Sequence, residues 1–169
     1  MKCCFTGHRS VPEKDKLNIM IKLERAVKSL VAEGCTVFCA GGALGFDTLA
    51  ALAVMRVKRN NKNIKLHLYL PWPGQADKWR ESDRLLYEKI KSESDAVFYA
   101  SQEYVPSCMN SRNRALVDNS DVCVAYCTQP GGGTAFTVSY AMDMGKPVLN
   151  IAQADNNEAE NFGTLCKGL

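Results

Sequence analysis

Six short runs rich in apolar residues alternate along this chain with segments whose apolar residues recur at helical spacing. The runs cover residues 2–6, 36–40, 64–70, 96–99, 122–127 and 147–151. Several are apolar almost throughout, which is typical of strands buried on both faces of a parallel sheet. Since strands that alternate with helices are joined by right-handed crossovers, we predict one Rossmann-like, three-layer α/β domain. Its sheet should be mostly parallel and contain about six strands.

The segments between these runs carry the end signals of helices. We predict helices over residues 12–33, 45–59, 78–92, 110–119 and 134–144. In the first of them, Pro12 suits the first turn, Glu13 and Asp15 favour the N-terminal end, and Gly34 suits the position after the last turn. The pattern therefore divides the chain into a Rossmann-like domain over residues 1–152 and a polar C-terminal tail over residues 153–169.

Composition excludes several classes of protein. The 169 residues are 46% hydrophobic and 23% charged, and the net charge of +3 does not by itself indicate a nucleic-acid partner. No stretch approaches the ~18 apolar residues of a membrane span, and the N-terminus lacks the apolar segment of a signal peptide. We expect a cytoplasmic protein that binds neither a membrane nor nucleic acid.

Eight cysteines and two histidines are the candidate metal ligands. The cysteines form no C-x-x-C pair. The pairs spaced by four residues, Cys35 with Cys39 and Cys123 with Cys127, fall on predicted strands, where they make a poor metal clamp. We therefore expect no metal site and interpret the cysteines as small buried hydrophobic residues in a reducing compartment.

Glycine-bearing sequences follow three of the predicted strands. The first strand runs into FTGHR, the second into AGGALGFD and the fifth into PGGGT. In parallel sheets ligands bind outside the carboxyl ends of the strands, and glycine lets backbone N–H groups approach an anion beside a helix N-terminus. The three loops therefore predict one phosphate-binding crevice. Its candidate residues are Thr6, Gly7, His8, Arg9, Gly41, Gly42, Gly45, Asp47, Pro130, Gly131, Gly132, Gly133 and Thr134.

Structural roles compete with ligand binding at each of these positions. A Gly-Gly turn also serves close packing. His8 can form a hydrogen bond within its own loop instead of contacting a ligand. Asp47 can stabilise the start of a helix, contact a ribose or act as a catalytic carboxylate. The convergence of three loops, and no single loop, favours a binding site.

Four segments together resemble the YpsA-like proteins of the SLOG superfamily: CCFTGHR, GGALGFDTLAA, CMNSRNRALVDNSD and PGGGTAFTVSYAMDMGKPV. That superfamily also includes the Smf/DprA DNA-processing proteins and the Lonely-guy phosphoribohydrolases, which activate cytokinins. The resemblance extends from about residue 2 to residue 151. It implies a Rossmann-like fold, a nucleotide-derived ligand and, because members of the superfamily often pair, a homodimer.

The match to the Lonely-guy motifs is partial. Their Met-x-x-Arg motif is matched by Met109 and Arg112, which implies that Arg112 grips a phosphate. Their Pro-Gly-Gly-x-Gly-Thr-x-x-Glu motif is matched by PGGGT with one residue missing, and the glutamate position falls on Thr137. A threonine cannot supply the carboxylate that steadies an oxocarbenium-like transition state.

The resemblance therefore favours binding over turnover. The expected ligand is a nucleoside phosphate, an NAD-related molecule or an ADP-ribose derivative, which is sensed and not converted. Two alternatives stay open: hydrolysis of a nucleotide N-glycosidic bond with Asp47 as the carboxylate, and single-stranded DNA binding as in the Smf/DprA branch. We also expect Arg112 to face the crevice with few core contacts, so that Arg112→Ala changes stability little.

Overall fold

Six strands and five helices alternate along the computed structural model, which describes residues 1–152; the tail expected over residues 153–169 lies outside the described residues. The strands are β1 (Lys2–Gly7), β2 (Val37–Ala40), β3 (Lys65–Leu70), β4 (Ala96–Tyr99), β5 (Val122–Tyr126) and β6 (Val148–Asn150). The helices are α1 (Glu13–Ala32), α2 (Phe46–Lys58), α3 (Glu81–Glu93), α4 (Cys108–Asp118) and α5 (Gly132–Asp143).

The strands form one sheet in the order β4-β3-β2-β1-β5-β6, and every pair is parallel. This confirms the predicted Rossmann-like α/β fold. The chain builds outward from β1 to β4 and then returns to place β5 on the other side of β1, with Gly7 opposite Tyr126. The strand order therefore reverses between β1 and β5, which is where sheets of this type bind ligands.

Two apolar layers cover the two faces of the sheet. The larger one packs α1, α2 and α3 against residues such as Phe5, Phe38 and Leu68, which are fully buried. The smaller one lies beneath α4 and α5. It contains Cys4, which is in register with Cys39 on one side and with Cys123 on the other.

Burial makes the thiols of Cys35 and Cys39 poor nucleophiles. It raises the pKa of Cys35 to about 11 and that of Cys39 to about 12, because a thiolate is badly solvated inside the sheet. These side chains are small core residues, as the sequence predicts, whereas Cys127 departs from that prediction and is half-exposed. Within residues 1–152, no cluster of three or more His, Cys, Asp or Glu side chains is arranged to hold a metal ion. No helix in that same stretch of chain has both the length and the apolar character to cross a membrane.

Three helix starts differ from the predicted ones by two residues or more, and one of them is α4, which begins at Cys108 instead of residue 110. The predicted third helix begins at residue 78, but α3 begins at Glu81 because turns occupy the preceding residues. The predicted fifth helix begins at residue 134, but α5 begins at Gly132. The glycine run is therefore divided between the loop and the first turn of α5.

Candidate functional site

A cavity of about 360 Å³ opens beside the carboxyl end of β1, at the reversal of strand order. The loop after β1, the loop before α2, the first turns of α4 and the start of α5 form its walls. Its lining residues are Thr6, Gly7, His8, Arg9, Ala43, Asp47, Met109, Asn110, Arg112, Asn113, Gly133 and Thr134. Of the other predicted site residues, Gly41, Gly42, Gly45, Pro130, Gly131 and Gly132 lie outside this lining.

The glycines of the second loop have packing roles. A Cβ atom on Gly41 would overlap the Arg112 guanidinium, and one on Gly45 would overlap the backbone carbonyl of Arg9. Gly42 and Gly45 also have φ values of +64° and +77°, which disfavour other residues. This loop therefore shapes the cavity by letting buried groups approach each other closely.

The glycines of the third loop face open space. A Cβ atom on Gly131, Gly132 or Gly133 would have no atom of the described protein within 4 Å. Only Gly132, with a φ of +87°, needs glycine for its backbone conformation. Within the described protein, packing therefore does not explain why residues 131 and 133 are glycine and not a larger residue.

The start of α5 offers backbone donors at this glycine run. The first N–H groups of a helix have no partner inside the helix, and no side chain of the described residues caps α5. The helix dipole adds partial positive charge at the same end. Gly133 and Thr134, in the first turn, line the cavity. An anion in the cavity would therefore meet unpaired N–H groups.

A buried ion pair forms one wall of the cavity. Nη1 of Arg112 lies 3.3 Å from Oδ2 of Asp47, and the N–H of Ala43 donates to the same oxygen at 3.2 Å. The two charged residues are only 7% and 4% exposed. Burial raises the pKa of Asp47 and lowers that of Arg112, while their mutual attraction opposes both shifts. Nε of Arg112 is buried with no hydrogen-bond partner in the described structure.

This burial overturns the expectation that Arg112 is dispensable for stability. Removing one partner of a buried ion pair leaves the other charge uncompensated, which typically costs about 3–5 kcal/mol. Sequence reasoning identified Arg112 from its motif but could not show that Asp47, 65 residues earlier, holds it.

Arg9 supplies the exposed positive charge of the site. Its Nη2 donates to Sδ of Met109 at 3.4 Å, and a thioether sulfur is a weak acceptor. The guanidinium is therefore held at the cavity, and no carboxylate of residues 1–152 forms an ion pair with it. With Arg9 and Arg112 against Asp47, the lining favours an anionic ligand.

His8 and Thr137 form hydrogen bonds inside the protein. Nε2 of His8 accepts the backbone N–H of Thr128 at 2.9 Å, so its partner is the loop after β5 and not its own loop. Thr137 is buried and donates to the carbonyl oxygen of Gly133 at 2.8 Å. It therefore lies behind the glycine run and contributes to the packing of α5.

Sequence reasoning missed the polar side chains that α4 presents to the cavity. Asn110 and Asn113 both line it, as do Met109 and Ala43. The two asparagines are three residues apart and so lie on one helix face. Extending the Met-x-x-Arg motif to that face would have identified them.

Comparisons with known proteins agree with this architecture. The sequence model named YpsA, of the YspA SLOG family, matches residues 3–148. The SPbeta prophage-derived protein YoqJ of Bacillus subtilis (strain 168) is 25% identical over 139 residues, which cover 72% of this chain and 81% of YoqJ.

Two solved structures share the fold. DNA processing protein A of Streptococcus pneumoniae superposes with a TM-score of 0.66 at 17% identity, over 99% of this chain and 56% of that one. This chain thus spans little more than half of that protein. A structure describing the single-stranded DNA binding mode of DNA processing protein A of Helicobacter pylori gives a TM-score of 0.65 at 17% identity, over 99% and 72% of the two chains.

Proposed function

Because the chain belongs to the YspA SLOG family, we propose that its cavity binds a nucleotide-derived ligand through a phosphate group. The ligand is a nucleoside phosphate, an NAD-related molecule or an ADP-ribose derivative. In this proposal the protein senses the ligand and does not convert it. The cytoplasmic location and the homodimer expected from the sequence are part of the same proposal, and light scattering measures the second.

The glycine run at the start of α5 carries the proposal. Gly131 and Gly133 have neither a steric nor a conformational need for glycine among the described residues. A phosphate that approaches the N–H groups of the first turn would supply that need, because a side chain at Gly133 would occupy the same space. The hydroxyl of Thr134 adds one more donor.

Two arginines support a phosphate in particular. Nε of Arg112 is a buried donor that lacks an acceptor among the described residues, and burying an unpaired donor is costly. Arg9 lies on the exposed side of the cavity with only a sulfur acceptor in the described structure. Both arginines line the cavity, so their positive charges would attract an anion bound there.

The rest of the lining suits a sugar and a base. The volume of about 360 Å³ falls in the range of small-molecule sites. Asn110 and Asn113 offer amide donors and acceptors from α4. Asp47 lines the cavity and engages the protein through Oδ2, which leaves Oδ1 as an acceptor for a ribose hydroxyl.

We infer binding without turnover because the site has no free carboxylate among the described residues to act in catalysis. The described lining contains one carboxylate, Asp47, and that side chain is committed to Arg112. Thr137 supplies none. Hydrolysis of an N-glycosidic bond by Asp47 is the alternative outcome, and chromatographic detection of free base over hours with protein in excess distinguishes it. If the wild type releases base and Asp47→Asn does not, the protein is a hydrolase and the sensing proposal is wrong.

The experiment is thermal unfolding with a panel of nucleoside monophosphates, NAD, ADP-ribose and ribose 5-phosphate. A ligand that binds only the folded state stabilises it by about 2.7 kcal/mol at a hundredfold excess over Kd. Calorimetry on Arg9→Ala should then show affinity reduced about tenfold or more. The matched control is Arg84→Ala, an exposed arginine on α3 outside the lining, which should bind normally. No thermal shift from any compound at millimolar concentration would refute the proposal.

Single-stranded DNA is a second candidate ligand. The observation that favours it is the fold shared with DNA processing protein A of Helicobacter pylori. That likeness weakens the expectation, drawn from the net charge, that nucleic acid is not a partner. The slope of log Kd against log salt separates the two candidates, because each phosphate contact on a single strand adds about 0.7 to it. A slope of several units indicates DNA, whereas a slope near one fits a small phosphate ligand.

A further inference from the structure

The loop that follows β5 is held by a side chain from each neighbouring strand. In the sheet, β5 lies between β1 and β6. From the β1 side, Nε2 of His8 accepts the N–H of Thr128 at 2.9 Å and lies 3.1 Å from its Oγ1. From the β6 side, Oδ1 of Asn150 accepts the N–H of Cys127 at 3.0 Å, and its Nδ2 donates to the carbonyl oxygen of Cys127 at 2.8 Å.

We infer that His8 and Asn150 act as a clamp that positions the glycine run for phosphate. Both are positioning residues, and His8 acts on the ligand through Thr128 instead of by direct contact. The effect of the clamp on affinity rests on the proposed function, whereas its effect on the loop does not.

The loop needs such a clamp because packing constrains the residues beyond it only weakly. Gln129, Pro130 and the three glycines are exposed, and glycine has the largest conformational freedom of any residue. Backbone N–H groups bind an anion well only when they already point at it, since ordering them at the moment of binding lowers affinity. Fixing Cys127 and Thr128 therefore orders the chain immediately before the glycine run.

His8 is itself held firmly enough to do this. Its carbonyl oxygen accepts the N–H of Phe46 at the start of α2. Its ring meets the ring of Tyr126 edge to face, with centroids 5.9 Å apart. Backbone and ring are thus fixed by different elements, so the position of Nε2 is well defined.

The direction of the hydrogen bond determines the tautomer of His8. A backbone N–H can only donate, so Nε2 must carry a lone pair and the neutral ring must carry its proton on Nδ1. This predicts a spectroscopic signature that a histidine with a merely steric role would not need to show.

The test combines substitutions with two measurements. His8→Phe keeps an aromatic ring and removes the acceptor, whereas His8→Gln places an amide oxygen near the position of Nε2. Asn150→Ala removes both the acceptor for the N–H of Cys127 and the donor to its carbonyl oxygen. The first measurement is NMR of the ligand-free protein, which gives the ¹⁵N shifts of His8 and the amide exchange of Cys127 and Thr128. The second is the affinity for inorganic phosphate.

We expect wild-type His8 in the Nδ1–H form. In His8→Phe the amide of Thr128 should exchange at least tenfold faster, and phosphate affinity should fall about tenfold, which corresponds to the loss of one hydrogen bond. His8→Gln should recover most of both. Asn150→Ala should speed the exchange of the Cys127 amide, because the acceptor of its N–H is lost.

Each failure has its own meaning. If the wild type does not bind phosphate, the proposed function is wrong. The amide exchange rates of Cys127 and Thr128 still show whether His8 and Asn150 hold the loop. If His8→Phe loses affinity with unchanged exchange, His8 contacts the ligand directly and the inference is wrong. A wild-type ring protonated on Nε2 also overturns it, and this measurement needs no variant to fold.

Discussion

The three consecutive glycines should respond to alanine in three different ways. Gly132 has a φ of +87°, whereas Gly131 and Gly133 do not have positive φ values. At none of the three would the new methyl group meet an atom of the described protein. Gly133 alone lines the cavity. The backbone conformation therefore requires glycine at residue 132, whereas the space for a ligand requires it at residue 133.

Stability should follow the backbone. Gly133→Ala removes freedom from the unfolded chain at a compatible position and should stabilise the protein by about 0.4–1 kcal/mol, or roughly 1–4 °C in Tm. Gly132→Ala forces alanine into the left-handed region and should cost roughly 1–2 kcal/mol. Gly131→Ala should change stability little, because the same unfolded-state gain opposes the poorer capping of α5 by alanine.

Affinity should follow the cavity instead. The methyl group of Gly133→Ala would separate phosphate from the first-turn N–H groups, and losing one hydrogen bond to a charged group costs roughly 1.5–3 kcal/mol. This predicts a ten- to hundredfold weaker Kd. Gly131→Ala, outside the lining, should stay within about threefold of the wild type.

Urea unfolding and calorimetry with inorganic phosphate and adenosine 5′-monophosphate measure the two quantities. A Gly133→Ala protein that is more stable and binds poorly supports the placement of the phosphate. One that binds as tightly as the wild type refutes it. If Gly133→Ala is instead destabilised, protein atoms fill the space beside Gly133, and a phosphate has no room there.

Two further predictions concern charges. Arg112→Ala should lower the free energy of unfolding by about 3–5 kcal/mol in urea, because Asp47 is left buried without its partner; a loss below about 1 kcal/mol would contradict the burial of the pair. Partial burial opposes ionisation of Asp95, but hydrogen bonds from Lys58 and the N–H of Leu66 outweigh it and lower the pKa of Asp95 below its usual 3.8. The wild type should therefore exceed Asp95→Asn in free energy of unfolding by its full amount above about pH 4, and this difference should shrink as the pH falls further. Urea unfolding of both proteins across this pH range measures the difference. A difference that does not change with pH would contradict the lowered pKa.

The fold was predictable because its determinants are local. Each strand is a short apolar run, and each helix shows its period in the sequence, so the α/β class and the convergence of the loops followed. The start of α5 at Gly132 did not follow, because glycine ordinarily favours a loop and only the structure shows two glycines within the helix.

The meeting of the loops at one cavity was predictable, but the roles of the residues in those loops were not. Gly41 and Gly133 look alike in sequence, yet one packs against the guanidinium of Arg112 and the other faces open space. The sequence did not indicate a role for Asn150, because an asparagine at the end of a strand is common. Its hydrogen-bond partner, Cys127, is 23 residues earlier. Contacts between distant segments decide such roles, and one sequence does not reveal them.

The row of cysteines across β2, β1 and β5 makes the protein convenient for chemical labelling. Cys4, Cys39 and Cys123 are buried, as are Cys3, Cys35 and Cys108, so a thiol-reactive dye has little access to them. Cys127 is the half-exposed cysteine of residues 1–152. A fluorophore attached there, in a Cys166→Ser background that removes the cysteine beyond the described residues, would sit at the base of the glycine loop. The native core thus leaves a single attachment point for an optical reporter beside the proposed phosphate site.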